Sequence, residues 1–111
     1  MDLSQRKNLT DDAFEAIAQR FRALGDPTRL KIIYNLGGEE LTVGGLVERT
    51  GGSQSNISKH LSLLLTHGFV QRRREGTSAY YSITDSSIFS MCDLVCGGID
   101  RNLENWRRAF E

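Results

Sequence analysis

Residues 53–83 constrain the fold of this chain more than any other stretch. Ser53 can cap a helix in which Ile57, Leu61, Leu64 and Leu65 recur on one apolar face. Ser55, Ser58, Lys59 and Ser62 fall on the opposite face at ~100° per residue. His67-Gly68 ends the segment, because glycine fits the position after a helix. Phe69–Arg74 and Ser78–Ile83 then read as two short strands, and Glu75-Gly76-Thr77 supplies the turn between them. A helix that runs straight into a hairpin leaves few architectures open.

The segments before and after narrow them further. A first helix is expected from about Asp12 to Leu24, capped by Asp11 or Asp12, with Phe14, Ile17, Phe21 and Leu24 on one stripe and Gly25 as its stop. Asp26-Pro27 starts a second helix: aspartate accepts the free N–H groups, and proline has no N–H to lose at the first helical position. Leu30, Ile33 and Leu36 line its face, and Gly37-Gly38 ends it. Thr42 opens a short third helix carrying Val43, Leu46 and Val47. Gly44 and Gly45 each weaken it by about 1 kcal/mol relative to alanine, so it depends on packing. Thr50-Gly51-Gly52 is a turn, and Asp85 caps a last helix running to about Phe110. The sum is a mainly α (α+β) fold of about five helices and a two-stranded wing, a winged helix-turn-helix. It forms one domain over residues 1–111, with 1–10 loose and 84–110 devoted to the last helix.

Composition excludes several classes. No apolar run approaches the ~20 residues of a membrane span, and the polar start MDLSQRKNLTDD lacks the apolar core of a signal peptide. Two cysteines four apart do not make a secreted disulfide framework, so a cytoplasmic chain with reduced thiols and no membrane partner is expected. There is no glycine-rich phosphate loop and no paired histidine–carboxylate cluster, and Cys-x3-Cys is not a thiol redox motif, so the chain does not read as an enzyme.

Net charge is zero, with 14 basic and 14 acidic residues, so any nucleic-acid footprint must be local. Residues 53–83 hold four basic residues (Lys59, Arg72, Arg73 and Arg74) against the single acid Glu75. The candidate DNA-binding set is Ser53, Gln54, Ser55, Asn56, Ser58, Lys59 and His60 on the helix, with Arg72, Arg73 and Arg74 on the wing. Glutamine and asparagine carry the donor–acceptor pair that matches adenine, serine bonds bases or phosphates, and arginines on a wing supply phosphate contacts. His60 leans toward the apolar side, so packing is an equal claim on it. The partner implied is double-stranded operator DNA; the alternative is a winged-helix module that binds protein instead.

The strings Ala23-Leu24-Gly25-Asp26-Pro27-Thr28-Arg29-Leu30, SQSNISKHLSLLLTHGFV at 53–70 and RRREGTSAYYSI at 72–83 resemble the ArsR/SmtB family of bacterial transcriptional repressors over roughly residues 14–107. The resemblance implies a homodimeric repressor, joined through its first and last helices and released from DNA by an inducer. Apolar spacing agrees. Ile88, Cys92, Val95, Ile99, Leu103, Trp106 and Phe110 make a stripe longer than so small a fold needs for itself. Phe14, Ile17, Phe21, Ile88, Val95, Ile99, Leu103 and Trp106 form the expected dimer interface. Two departures bear on the inducer. Where metal-sensing members carry a Cys-x-Cys in the third helix, this chain has Glu40-Leu41-Thr42-Val43-Gly44. Where others place Asp and His ligands on the last helix, no histidine follows His67.

The thiols that remain, Cys92 and Cys96, are helical neighbours. Three roles stay open: packing as small hydrophobes, coordination of a soft ion such as arsenite, cadmium or zinc, and oxidation. No cofactor is required for the fold.

Overall fold

The computed structural model describes residues 8–101, with helices α1 (Asp11–Leu24), α2 (Pro27–Leu36), α3 (Val43–Thr50), α4 (Gln54–Thr66) and α5 (Ser87–Arg101) and strands β1 (Val70–Glu75) and β2 (Ser78–Ile83). Each helix begins where a short polar side chain can take up free backbone N–H groups. Asp26 Oδ1 accepts from Thr28 N at 2.8 Å and from Arg29 N at 3.1 Å, Thr42 Oγ1 from Gly45 N at 3.1 Å, and Ser53 Oγ from Asn56 N at 3.2 Å. Asp85 Oδ1 accepts from Ser87 N at 2.9 Å. α1 is the correction: Thr10, not Asp11 or Asp12, is its cap, accepting from Ala13 N, and both aspartates lie in the first turn near the positive end of the dipole.

The core lies where α2, α3 and α4 meet. Ile32, Ile33, Leu36, Leu46, Ile57, Leu61 and Leu64 are buried there, with Leu24 from α1, Val70 from β1 and Ile88 from α5 closing the edges. Burying a side chain of this size contributes roughly 1.5–3 kcal/mol, and the conformational entropy of ordering opposes it. Two expectations shift. Leu30 is exposed and Ile32 takes its place in the core, because α2 packs against α1, α3, α4 and β2 and so buries a broader face than a single stripe. Ile88, expected at the dimer contact, is buried in the core of its own chain.

The helix-turn-helix corner is tight. Gly51 sits at φ +76°, the left-handed conformation that ends α3. A Cβ on Gly52 would come within 3.1 Å of Ile57 Cδ1, so the backbone there approaches α4 more closely than a side chain allows without adjustment. Beyond α4, β1 and β2 pair antiparallel from Val70↔Ile83 to Glu75↔Ser78 around Gly76, at φ +60°. Leu41 joins β2 on its other edge, its N–H and C=O exchanging hydrogen bonds with Tyr81 at 3.0 and 2.8 Å. The wing is thereby tied to the segment before α3, a pairing the sequence pattern did not announce. No helix among the described residues is long and apolar enough to cross a membrane.

Side chains of 98–111 lie outside the described residues, so Ile99, Leu103 and Trp106 of the expected interface, and Phe110 of the same stripe, fall there. The rest of the expected interface divides. Phe14, Phe21 and Val95 are 52%, 61% and 63% exposed, whereas Ile17 is half-buried. Leu94 and Tyr34 add to the exposed apolar surface.

Candidate nucleic-acid interface

The N-terminal half of α4 presents a short polar surface. Ser53, Gln54, Ser55, Asn56 and Lys59 are exposed, and Ser58 is half-buried between that surface and the core. Ile57, Leu61 and Leu64 anchor the opposite side of the same helix and hold it against α2 and α3. Ser53 caps the helix, which fixes where the polar surface starts and leaves the neighbouring N–H groups pointing outward, a favourable setting for an anion.

The wing sorts its arginines by face. Side chains alternate along a strand, so Val70, Arg72 and Arg74 share the face that packs on the helices, and Gln71 and Arg73 share the other. Val70 is buried at the root, while Arg72 and Arg74, farther out, are exposed and make no ion pair among the described residues. Arg73 is committed elsewhere. Its Nε lies 3.0 Å from Glu40 Oε2 and its Nη1 2.8 Å from Glu75 Oε2, and its guanidinium stacks over the Tyr80 ring. Glu40 is held below the usual carboxylate range by this hydrogen bonding with Arg73, and the two carboxylates push the arginine up in turn. The three arginines of the wing are therefore two exposed cations without an ion pair among the described residues and one strut.

His60 is half-buried beside α2, with Nδ1 3.0 Å from Arg29 Nη1. Arg29 also donates Nε to Ala23 O at 2.5 Å and Nη2 to Arg22 O at 3.2 Å, so one guanidinium connects the end of α1 to α4. Arg20 does the same at the other end of α4, donating to His67 O at 2.5 Å and lying 4.5 Å from the Phe69 ring centroid. Neither Arg20 nor Arg29 was legible as a brace between α4 and its neighbours. Arg29 stands in the Asp-Pro-Thr-Arg helix start, whose local meaning is capping, and nothing in a linear pattern says what its side chain reaches. The Asp26 carboxyl lies below its ordinary value, chiefly because the backbone N–H of Arg29 bonds it, with the N–H of Thr28 adding to the effect.

Cys92 and Cys96 are far along α5 from this surface in sequence. Cys92 is half-buried and Cys96 exposed, and burial first, then the neighbouring Cys96 and Asp93, pushes the Cys92 thiol up. Among the described residues no group of three or more His, Cys, Asp or Glu side chains converges as a metal site.

Against known proteins, residues 26–72 match the family described as "Bacterial regulatory protein, arsR family". The chain is 42% identical over 81 residues to a probable mercury resistance operon repressor of Streptomyces lividans, a match covering 73% of this chain and 62% of that protein. It is 37% identical over 84 residues to a cadmium resistance transcriptional regulatory protein, a CadC homolog, of Staphylococcus aureus, covering 75% of this chain and 69% of that one. The fold superposes with a TM-score of 0.74, at 29% identity, on the homodimeric winged helix-turn-helix DNA-binding domain of a possible ArsR-family regulator from Mycobacterium bovis, covering 90% of this chain and 95% of the other.

Proposed function

This chain belongs to the ArsR family of bacterial regulatory proteins, and from that premise we propose that it is a homodimeric transcriptional repressor released from its operator by a small inducer. The relatives are regulators of transcription rather than enzymes. The observation that carries the reading is the juxtaposition within one domain of a polar, singly basic surface on α4 and two uncommitted arginines on the helix-facing side of the wing. A helix of this kind fits the major groove, where Gln54 and Asn56 can meet base edges, while Ser53, Ser55, Ser58, Lys59, Arg72 and Arg74 hold phosphates. Arg73 braces the wing. The apolar residues left exposed on α1 and α5 support pairing of two copies, which would set two α4 helices in successive major grooves about 34 Å apart.

The test is a titration of the full-length protein against the duplex upstream of its own coding region, repeated across a salt series. Binding whose logarithm falls linearly with the logarithm of salt supports the reading. Absence of binding to that duplex and to random DNA alike would defeat it.

For the inducer, we assign Cys92 and Cys96 as the pair that meets a soft ion. Relatives are named for mercury and cadmium resistance, and the pair sits at i and i+4 on one helix, where both sulfurs can face one ion. Two copies near a two-fold axis would bring four thiols into one region, so a third ligand would come from the second protomer.

A further inference from the structure

The contact between Arg29 and His60 determines more than packing. An arginine side chain has five N–H donors and no acceptor, and it stays charged in proteins. With Arg29 Nη1 3.0 Å from His60 Nδ1, that ring nitrogen must be the acceptor. A neutral imidazole that accepts at Nδ1 carries its one proton on Nε2. Arg29 has little freedom to turn away, because Nε and Nη2 are bonded to the carbonyls of Ala23 and Arg22 and its backbone N–H to Asp26.

His60 Nε2 makes no hydrogen bond among the described residues, yet no buried side-chain nitrogen or oxygen is left without a partner there. Nε2 therefore reaches solvent although the residue is half-buried. His60 follows Lys59 and lies one helical turn beyond Asn56, so its open edge borders the polar surface of α4.

We propose that Arg29 locks His60 in the Nε2–H tautomer, so that α4 offers DNA a neutral hydrogen-bond donor at this position. The proposal rests on the reading of α4 as the DNA-facing helix. The ligand is an acceptor on the duplex, either a base edge (purine N7, guanine O6 or thymine O4) or a phosphate oxygen. Such an edge rejects the amino groups of adenine and cytosine. Being uncharged, it releases no counterion, so its removal leaves the salt slope unchanged, unlike the removal of Lys59. Arg29 acts as a positioning residue: lysine keeps the charge but cannot hold two carbonyls and the ring at once.

The experiment uses the full-length protein and a duplex that the wild type selects from a random library. Two-bond ¹H–¹⁵N correlation of the histidine rings at mildly alkaline pH should find His60 protonated at Nε2 alone, and Arg29→Lys should lose that single tautomer. His60→Leu and Arg29→Lys should each bind the selected duplex about tenfold more weakly with the salt slope intact. His60→Gln, which can accept from Arg29 through Oε1 and donate through Nε2, should recover most of the affinity. A loss confined to the selected duplex assigns a base acceptor, and an equal loss on random duplex assigns a phosphate. A ring protonated at Nδ1, wild-type affinity in His60→Leu, or a glutamine variant no better than leucine overturns the proposal. Should His60→Leu unfold, the wild-type ring spectrum and His60→Gln decide it. A wild type that selects no duplex removes the reading of α4 itself; one that binds normally with the wrong tautomer removes only the lock.

Discussion

Arg73 grips Glu40 across 33 residues of chain, with Nε and Nη2 on the two carboxylate oxygens at 3.0 and 3.1 Å. The pair fastens the wing to the segment that leads into α3, beside the backbone exchange between Leu41 and Tyr81. It removes one arginine from the basic count of the wing and leaves Arg72 and Arg74 exposed and without an ion pair among the described residues.

Arg72→Ala and Arg74→Ala should therefore each flatten the salt dependence of DNA binding by about one unit for every phosphate the variant no longer neutralises. Arg73→Ala should leave that slope near the wild-type value and instead loosen the wing, read as faster amide exchange at Leu41 and Tyr81. Equal slopes for all three variants would show that the division of faces has no bearing on DNA.

Asp26 and Glu40 give the stability an acid limb. Both carboxyls sit below their ordinary values in the folded chain, Asp26 through the N–H groups it caps and Glu40 through Arg73. A depressed folded value means a contribution fully present above the unfolded value and lost as pH falls through the folded one. Wild-type stability should thus decline below about pH 4. Asp26→Ala should melt lower than wild type at pH 7, and the gap should shrink at pH 3, as the wild-type carboxyl becomes protonated. A gap that does not change with pH would place the role of Asp26 in packing rather than in charge.

Phe21 tests the dimer without touching the core. It is exposed in the single chain, so Phe21→Asp should fold normally yet carry a charge into an apolar contact between copies. Sedimentation velocity should find monomers at concentrations where the wild type is dimeric, and DNA affinity should fall because the second half-site goes unread. Unchanged mass would move the interface away from α1.

The thiol pair predicts a pH-dependent release. Coordination needs thiolates, and burial pushes Cys92 up, so cadmium affinity should keep rising with pH past the ordinary thiol value of about 8.5. The Cys92→Ser, Cys96→Ser double variant should still bind operator but resist release by cadmium, whereas the wild type should lose roughly 5- to 150-fold in DNA affinity. Release of both proteins to the same extent would leave the thiols as ordinary packing residues.

Apart from the cap of α1, which is Thr10, the starts of the helices and the stops of α2, α3 and α4 were legible from sequence because capping is local chemistry. Asp26-Pro27, Thr42 and Ser53 satisfy N–H groups two or three residues away, and Gly51 and Gly68 adopt left-handed conformations that their own lack of a side chain permits. The polar face of α4 was legible for the same reason, since helical periodicity acts within one segment. Only the tertiary structure decided that Leu30 is exposed and Ile88 buried, that Leu41 adds to the wing, that Arg73 is a strut and that His60 belongs to Arg29. Each of these depends on a partner more than ten residues away or on how one helix is turned against its neighbours. The sequence pattern names the groups able to bond; which partner each one meets is settled by the packing of α2, α3 and α4 around their shared core.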